Sequence, residues 1–168
     1  MPLKKKVAEL MIPLEDYPHV PYWFTLKQAM AIIREAAIKF QGTFEPRSVL
    51  VFDEKYHLVG ILSLQDLLRG LAPPVPEGTG ETWEAMITRL EGDLTGEWVA
   101  EKADTPVSEV MSPITATVST DDSLARALLV MIKEKLPRLP VLKDDRVVGL
   151  IRMADLFQVI SDHVLQAR

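Results

Sequence analysis

Gly60-Ile61-Leu62-Ser63-Leu64-Gln65-Asp66 runs from apolar to polar residues and sets a hydroxyl and a carboxylate three positions apart. If a strand ends and a helix begins here, the unpaired N–H groups and positive dipole end of the first turn attract phosphate. Asp66 can then accept hydrogen bonds from both hydroxyls of a ribose. Those are the needs of a nucleoside phosphate. The same Ser-x-x-Asp spacing is also a capping box, complete without a ligand, and spacing alone leaves both readings open. A second stretch, Gly149-Leu150-Ile151-Arg152-Met153-Ala154-Asp155, repeats the pattern with Arg152 in the serine's place. Arginine cannot cap a helix start and opposes its dipole, whereas its planar fork suits a phosphate. Arg138, just ahead of Leu139-Pro140-Val141, is a further phosphate candidate, with a solvated surface role as the alternative.

Other chemistries find little support. His19, His57 and His163 are scattered, and none has a second ligand at metal spacing, so no metal site is expected. Cysteine is absent, which removes disulfides, thiol catalysis and thiolate-bound metals. Ser112, Ser119 and Ser161 have no neighbouring base, and neither a Gly-x-Ser-x-Gly elbow nor a Walker loop occurs. Asp121-Asp122 and Asp144-Asp145 stand beside cap and turn signals, where carboxylates serve structure. The expectation is a binding protein and not an enzyme.

The elements that must hold these groups are written twice. Val7-Ala8-Glu9-Leu10-Met11-Ile12-Pro13 returns as Val107-Ser108-Glu109-Val110-Met111-Ser112-Pro113, and Leu58 to Leu67 returns as Val147 to Leu156. Each copy opens with a lead-in ending in proline, then a short extended piece around Val20 or Val118, then a helix. In the first copy Thr25 and Gln28 form a capping box, and Leu26, Ala29, Met30, Ile33 and Ala37 make one apolar stripe. In the second, Leu124, Ala127, Leu128 and Met131 follow the cap-rich Ser119 to Ser123, and Leu136-Pro137 ends the helix. Two apolar strands come next, Val49–Phe52 with Leu58–Leu62 and Leu139–Leu142 with Val147–Ile151, joined by charged turns. A last helix starts at Ser63 or Arg152. The repeating unit is β-α-β-β-α, so the class is α/β (α+β), a pseudo-two-fold pair with an extra helix inserted between the copies. The expected boundaries are 1–72, a linker with the inserted helix at 73–104, and 105–168. Ala72 to Gly80 is too rich in proline and glycine for regular structure, and Trp83, Met86, Ile87 and Leu90 lie at helical spacing beyond it.

Composition bounds the partners. A net charge of -5 over 168 residues offers no basic field for nucleic acid or anionic lipid. The longest apolar run, Ala127 to Ile132, is far below the roughly twenty residues of a membrane helix. The expectation is a cytoplasmic protein without nucleic-acid or membrane partners.

Together these motifs resemble the CBS domain. They are Val-x-x-Val-Met-x-Pro, Asp-x-Ser-Leu-x-x-Ala-Leu, Arg-Leu-Pro-Val and Val-Val-Gly-Leu-Ile-x-x-x-Asp-Leu in order, and the doubled set resembles the tandem pair called a Bateman module. The resemblance implies stacked sheets, clefts that bind adenine nucleotides in many relatives, and homodimers. It implies that Ser63 and Asp66, and in variant form Arg152 and Asp155 with Arg138, face ribose and phosphate. Adenine would lie against Val20, Pro21, Leu50 and Val51 in the first copy, and Ile114, Thr115, Ala116, Pro140 and Val141 in the second. The implied ligand is AMP, ADP or ATP, with S-adenosylmethionine or NAD(H) as further candidates and no required cofactor. The implied role is regulatory, signalling to a partner protein. The alternative is a structural dimerisation or interaction module that has lost its ligand.

Overall fold

The computed structural model describes residues 1–39, 46–72, 82–93 and 97–166. In chain order the elements are β1 (Ile12–Pro13), β2 (His19–Pro21), α1 (Leu26–Lys39), β3 (Ser48–Phe52), β4 (Leu58–Ser63) and α2 (Leu64–Leu71). The inserted stretch forms α3 (Trp83–Asp93) and α4 (Glu97–Ala103). The second copy contributes β5 (Val118–Ser119), α5 (Leu124–Glu134), β6 (Arg138–Lys143), β7 (Arg146–Arg152) and α6 (Met153–Gln166). The mixed α/β class and the doubled β-α-β-β-α unit are as the sequence implies. The segment from Pro73 to Gly80 and most of the extra residues around Phe40 lie outside the described residues.

The chain forms two compact units, and each takes its lead-in from the other copy. Residues 18–113 make one, called here the Asp66 unit, and residues 1–17 with 114–168 make the other, the Asp155 unit. The repeats follow one another in sequence, whereas the units exchange their first segments.

In the Asp66 unit the sheet order is β2-β3-β4, parallel across β2 and β3 and antiparallel across β3 and β4. Every residue of β3 is buried, as its unbroken apolar run requires of a strand covered on both faces. Leu26, Ala29 and Ile33 of the α1 stripe pack on Val49, Val51, Leu62 and Leu67. Met30, on the same predicted stripe, is exposed. The Thr25–Gln28 box forms, with the Gln28 amide hydrogen on the Thr25 hydroxyl at 3.2 Å and the Gln28 side chain accepting from the Thr25 N–H at 2.9 Å. The lead-in Val107 is fully buried in this core, and its N–H donates to Phe24 O at 2.7 Å. Within the same unit α4 contacts α1, α2 and α3; Met86 is buried, while Trp83 and Ile87 are exposed. The inserted stripe is therefore covered on only one side.

In the Asp155 unit the sheet order is β1-β7-β6-β5. Leu124, Ala127 and Met131 of α5 pack on Leu139, Val141, Ile151 and Leu156, with the lead-in Val7 fully buried among them. Two matching bonds dock the lead-ins. The Leu26 N–H donates to Thr105 O in one unit and the Leu124 N–H to Lys5 O in the other, each at 2.9 Å, and each removes an orphan donor of a helix start. The lead-ins then pair with the last strand of their unit, Ser112 with Ile61 and Ile12 with Leu150. Gly60 and Gly149 permit this approach. A side chain at Gly149 would meet Ile12 O at 2.5 Å, and one at Gly60 would meet the Met111 thioether.

Candidate ligand site

Both carboxylates stand at a strand-to-helix junction whose backbone is set in the same way. The first helical N–H docks on the carbonyl ahead of the companion strand, Leu64 on Arg47 at 3.0 Å and Met153 on Pro137 at 2.8 Å. Ser63 and Asp66 fall at one such junction, Arg152 and Asp155 at the other, so the sequence reading of equivalent positions holds in space.

Their surroundings differ. Asp66 is 4% exposed. It accepts from the Ser63 N–H at 3.1 Å and from the Ser112 hydroxyl at 3.0 Å, and pairs with Arg69 one turn on; its own N–H donates to the Ser63 hydroxyl at 3.0 Å. Burial alone would raise the Asp66 carboxyl. The donors of Ser63, Ser112 and Arg69 outweigh it and hold the group below the usual carboxylate range. This is the capping box, closed and reinforced. The sequence reading did not foresee the Ser112 contact. Its one signal was in the repeat, because Met111-Ser112-Pro113 carries a hydroxyl where Met11-Ile12-Pro13 carries none.

Asp155 has no serine beside it and receives Arg152 instead. The guanidinium Nε donates to one carboxylate oxygen at 2.9 Å and Nη2 to the other at 2.7 Å, a fork-to-fork pair with both side chains partly buried. Asp155 is the main reason the Arg152 guanidinium holds its proton more tightly than usual, with Tyr17 adding a smaller charge effect against the cost of burial. Arg138 lies directly across the β6–β7 ladder from Arg152. Two arginines at one cross-strand position repel, and an anion between or beside them relieves that cost.

The backbone edges next to the junctions also differ. In the Asp66 unit, pairing of β2 with β3 includes His19↔Leu50, and the Leu50 N–H donates to Pro18 O at 3.1 Å. Val20, Leu50 and Val51 are fully buried and Pro21 partly so. In the Asp155 unit the place of Leu50 is taken by Pro140, which has no N–H, and pairing of β5 with β6 begins only at Val118↔Val141. No hydrogen bond from the described residues reaches the backbone of Ile114, Thr115 or Ala116. Pro140 and Val141 are buried beneath this edge, Thr115 is exposed, and Ile114 and Ala116 are partly buried. The structure thus gathers Ile114–Ala116, Pro140, Arg138, Arg152 and Asp155 onto one sheet and its flanking segments. Ser63 lies across the ladder from Ser48, three residues along β3 from Val51, so Val20, Pro21, Leu50 and Val51 occupy the other part of that sheet.

His19 faces Tyr56, with the Tyr56 hydroxyl 2.8 Å from its Nε2, and among the described residues no three His, Asp or Glu side chains gather as a metal site. No helix among the described residues is long and apolar enough to cross a membrane.

Residues 7–73 and 107–162 match the family model of the CBS domain. Comparison with curated proteins finds no match. Among solved structures, the chain is similar to the CBS domain of a CBS domain containing membrane protein from Sphaerobacter thermophilus. The TM-score is 0.67 at 24% identity, covering 94% of this chain and 89% of that one. It is similar to CBSX2 in complex with AMP, with TM-score 0.62, 19% identity, and coverage of 97% and 98%. It is also similar to the cytosolic domain of the Mg2+ channel MgtE in complex with ATP, with TM-score 0.61 and 24% identity over 93% of this chain and 49% of that one. These likenesses establish a shared fold.

Proposed function

Since the chain belongs to the CBS domain family and carries the domain twice, we propose that it is a regulatory, non-catalytic module that binds an adenine nucleotide in its Asp155 unit and signals to a partner protein. The observation that carries this reading is the edge opened by Pro140, where the unpaired backbone of Ile114–Ala116 stands beside Arg138, Arg152 and Asp155. Adenine needs a flat apolar slot and backbone partners, ribose a carboxylate, and phosphate a guanidinium; each has a candidate here. CBSX2 with AMP and the MgtE domain with ATP support the ligand class. The Asp66 unit offers less, because Ser112 and Ser63 already occupy its carboxylate and Leu50 its strand edge. AMP, ADP and ATP are the expected ligands, with S-adenosylmethionine and NAD(H) as controls. The assigned setting is cytoplasmic.

Titration calorimetry with that panel tests the reading. One nucleotide per chain is expected, and Asp155→Asn is expected to weaken it about ten- to a hundredfold, the equivalent of hydrogen bonds to a charged group. Silence across the panel, in heat and in melting temperature, would favour the alternative of a purely structural interaction module.

The same unit supplies a surface for self-association. Leu129 and Ile132 on α5 and Phe157, Val164 and Leu165 on α6 are all exposed, an apolar area that closed two-fold pairing would bury. A homodimer through α6 is the expected state, and light scattering across a dilution series checks it. A persistent 18.8 kDa species at high concentration would exclude the dimer, and dissociation on Phe157→Glu would locate the interface.

A further inference from the structure

Resting on that nucleotide reading, we propose that the Arg152–Asp155 pair is a gate that makes phosphate a condition of binding, so that the Asp155 unit refuses nucleosides. A ribose that takes both oxygens of Asp155 must first displace the guanidinium fork, which holds those oxygens at 2.9 and 2.7 Å. The displaced cation cannot simply be abandoned. Its side chain is 17% exposed, and Arg138 faces it across the ladder, so a released Arg152 sits partly desolvated beside a like charge. An uncharged nucleoside offers nothing in return. A nucleotide offers its phosphate, and the fork that left one anion closes on another. Ribose and phosphate capture are therefore one exchange, in which a single ion pair is traded for two contacts.

The other unit provides the contrast within the same chain. Where Ser63 replaces arginine, the carboxylate is held by a hydroxyl-capped turn, and reaching it would not strand a side-chain cation at that position. Arg152→Thr copies that arrangement into the Asp155 unit. It removes the gate and the phosphate fork together while restoring a Thr-x-x-Asp capping box.

The test is calorimetry with adenosine, AMP and ATP on the full chain, in wild type, Arg152→Thr and Arg152→Lys. Wild type is expected to bind ATP at least about a hundredfold more tightly than adenosine. In Arg152→Thr adenosine is expected to gain about tenfold and ATP to lose about tenfold, so the ratio collapses. Arg152→Lys keeps the charge, loses the fork, and should fall between them. A wild-type ATP-to-adenosine ratio in either variant that remains folded overturns the gate and leaves the nucleotide reading standing. Adenosine binding to wild type as tightly as ATP does the same. Absence of any nucleotide binding to wild type overturns both.

Discussion

Replacing Asp66 with alanine is expected to destabilise the Asp66 unit by about 3 kcal/mol, as the loss of a helix cap combined with hydrogen bonds to a buried charged group. The carboxylate is 4% exposed and ties three segments together: the end of β4 through Ser63, the lead-in through Ser112, and α2 through Arg69. Without it the Ser63 N–H loses its side-chain acceptor, and the lead-in loses its polar contact with the helix start. The sign of the acid dependence follows from the depressed carboxyl. Its contribution is fully present above the ordinary value of 3.8 and is lost as pH falls through the lower folded value. Urea denaturation should therefore separate wild type from Asp66→Asn widely near neutral pH and less as the solution is acidified. A gap that is constant with pH, or a cost below about 1 kcal/mol, would remove Asp66 from this structural role.

Gly149→Ala is the second large effect. A methyl group there would sit 2.5 Å from Ile12 O, and because the obstacle is backbone, relief requires β1 to leave β7. About 3 kcal/mol is expected, at the upper end of overpacking costs. The loss should be local, with hydrogen-exchange protection falling at Val7 and Leu124 before the rest of the Asp155 unit. Gly60→Ala is the control. Its first obstacle is the Met111 thioether, the movable part of a flexible side chain, so about 1 kcal/mol is expected. Equal effects at the two glycines would show that backbone approach of the lead-in is not what each position protects.

The repeat, the strands and the helix faces were legible because they rest on local periodicity and caps. Thr25 with Gln28 and Ser63 with Asp66 both formed the boxes their spacing announced. The exchange of lead-ins was not legible. Val7 to Pro13 and Val107 to Pro113 carry nearly the same apolar pattern, so either fits either sheet by side chain alone. What separates them is long-range pairing, Ile12 with Leu150 and Ser112 with Ile61, which no window of sequence contains. Arg152 was half legible. Its unsuitability as a cap stood out in the sequence, whereas its closure on Asp155 needed both side chains placed.

The exchanged lead-ins also set a timetable for a chain made from its first residue to its last. The middle portion, Pro18 to Pro113, is complete as soon as Pro113 has emerged and can fold while the remainder is still being synthesised. Met1 to Tyr17 leaves the ribosome first and must wait longest, because β1 has no strand to join until β7 exists. During that interval Val7 and Tyr17, both destined for burial, remain in solvent as an apolar tether on an otherwise folded body. The late step is a long-range closure between the two ends of the chain, the kind of contact that slows folding and exposes a nascent protein to capture by chaperones.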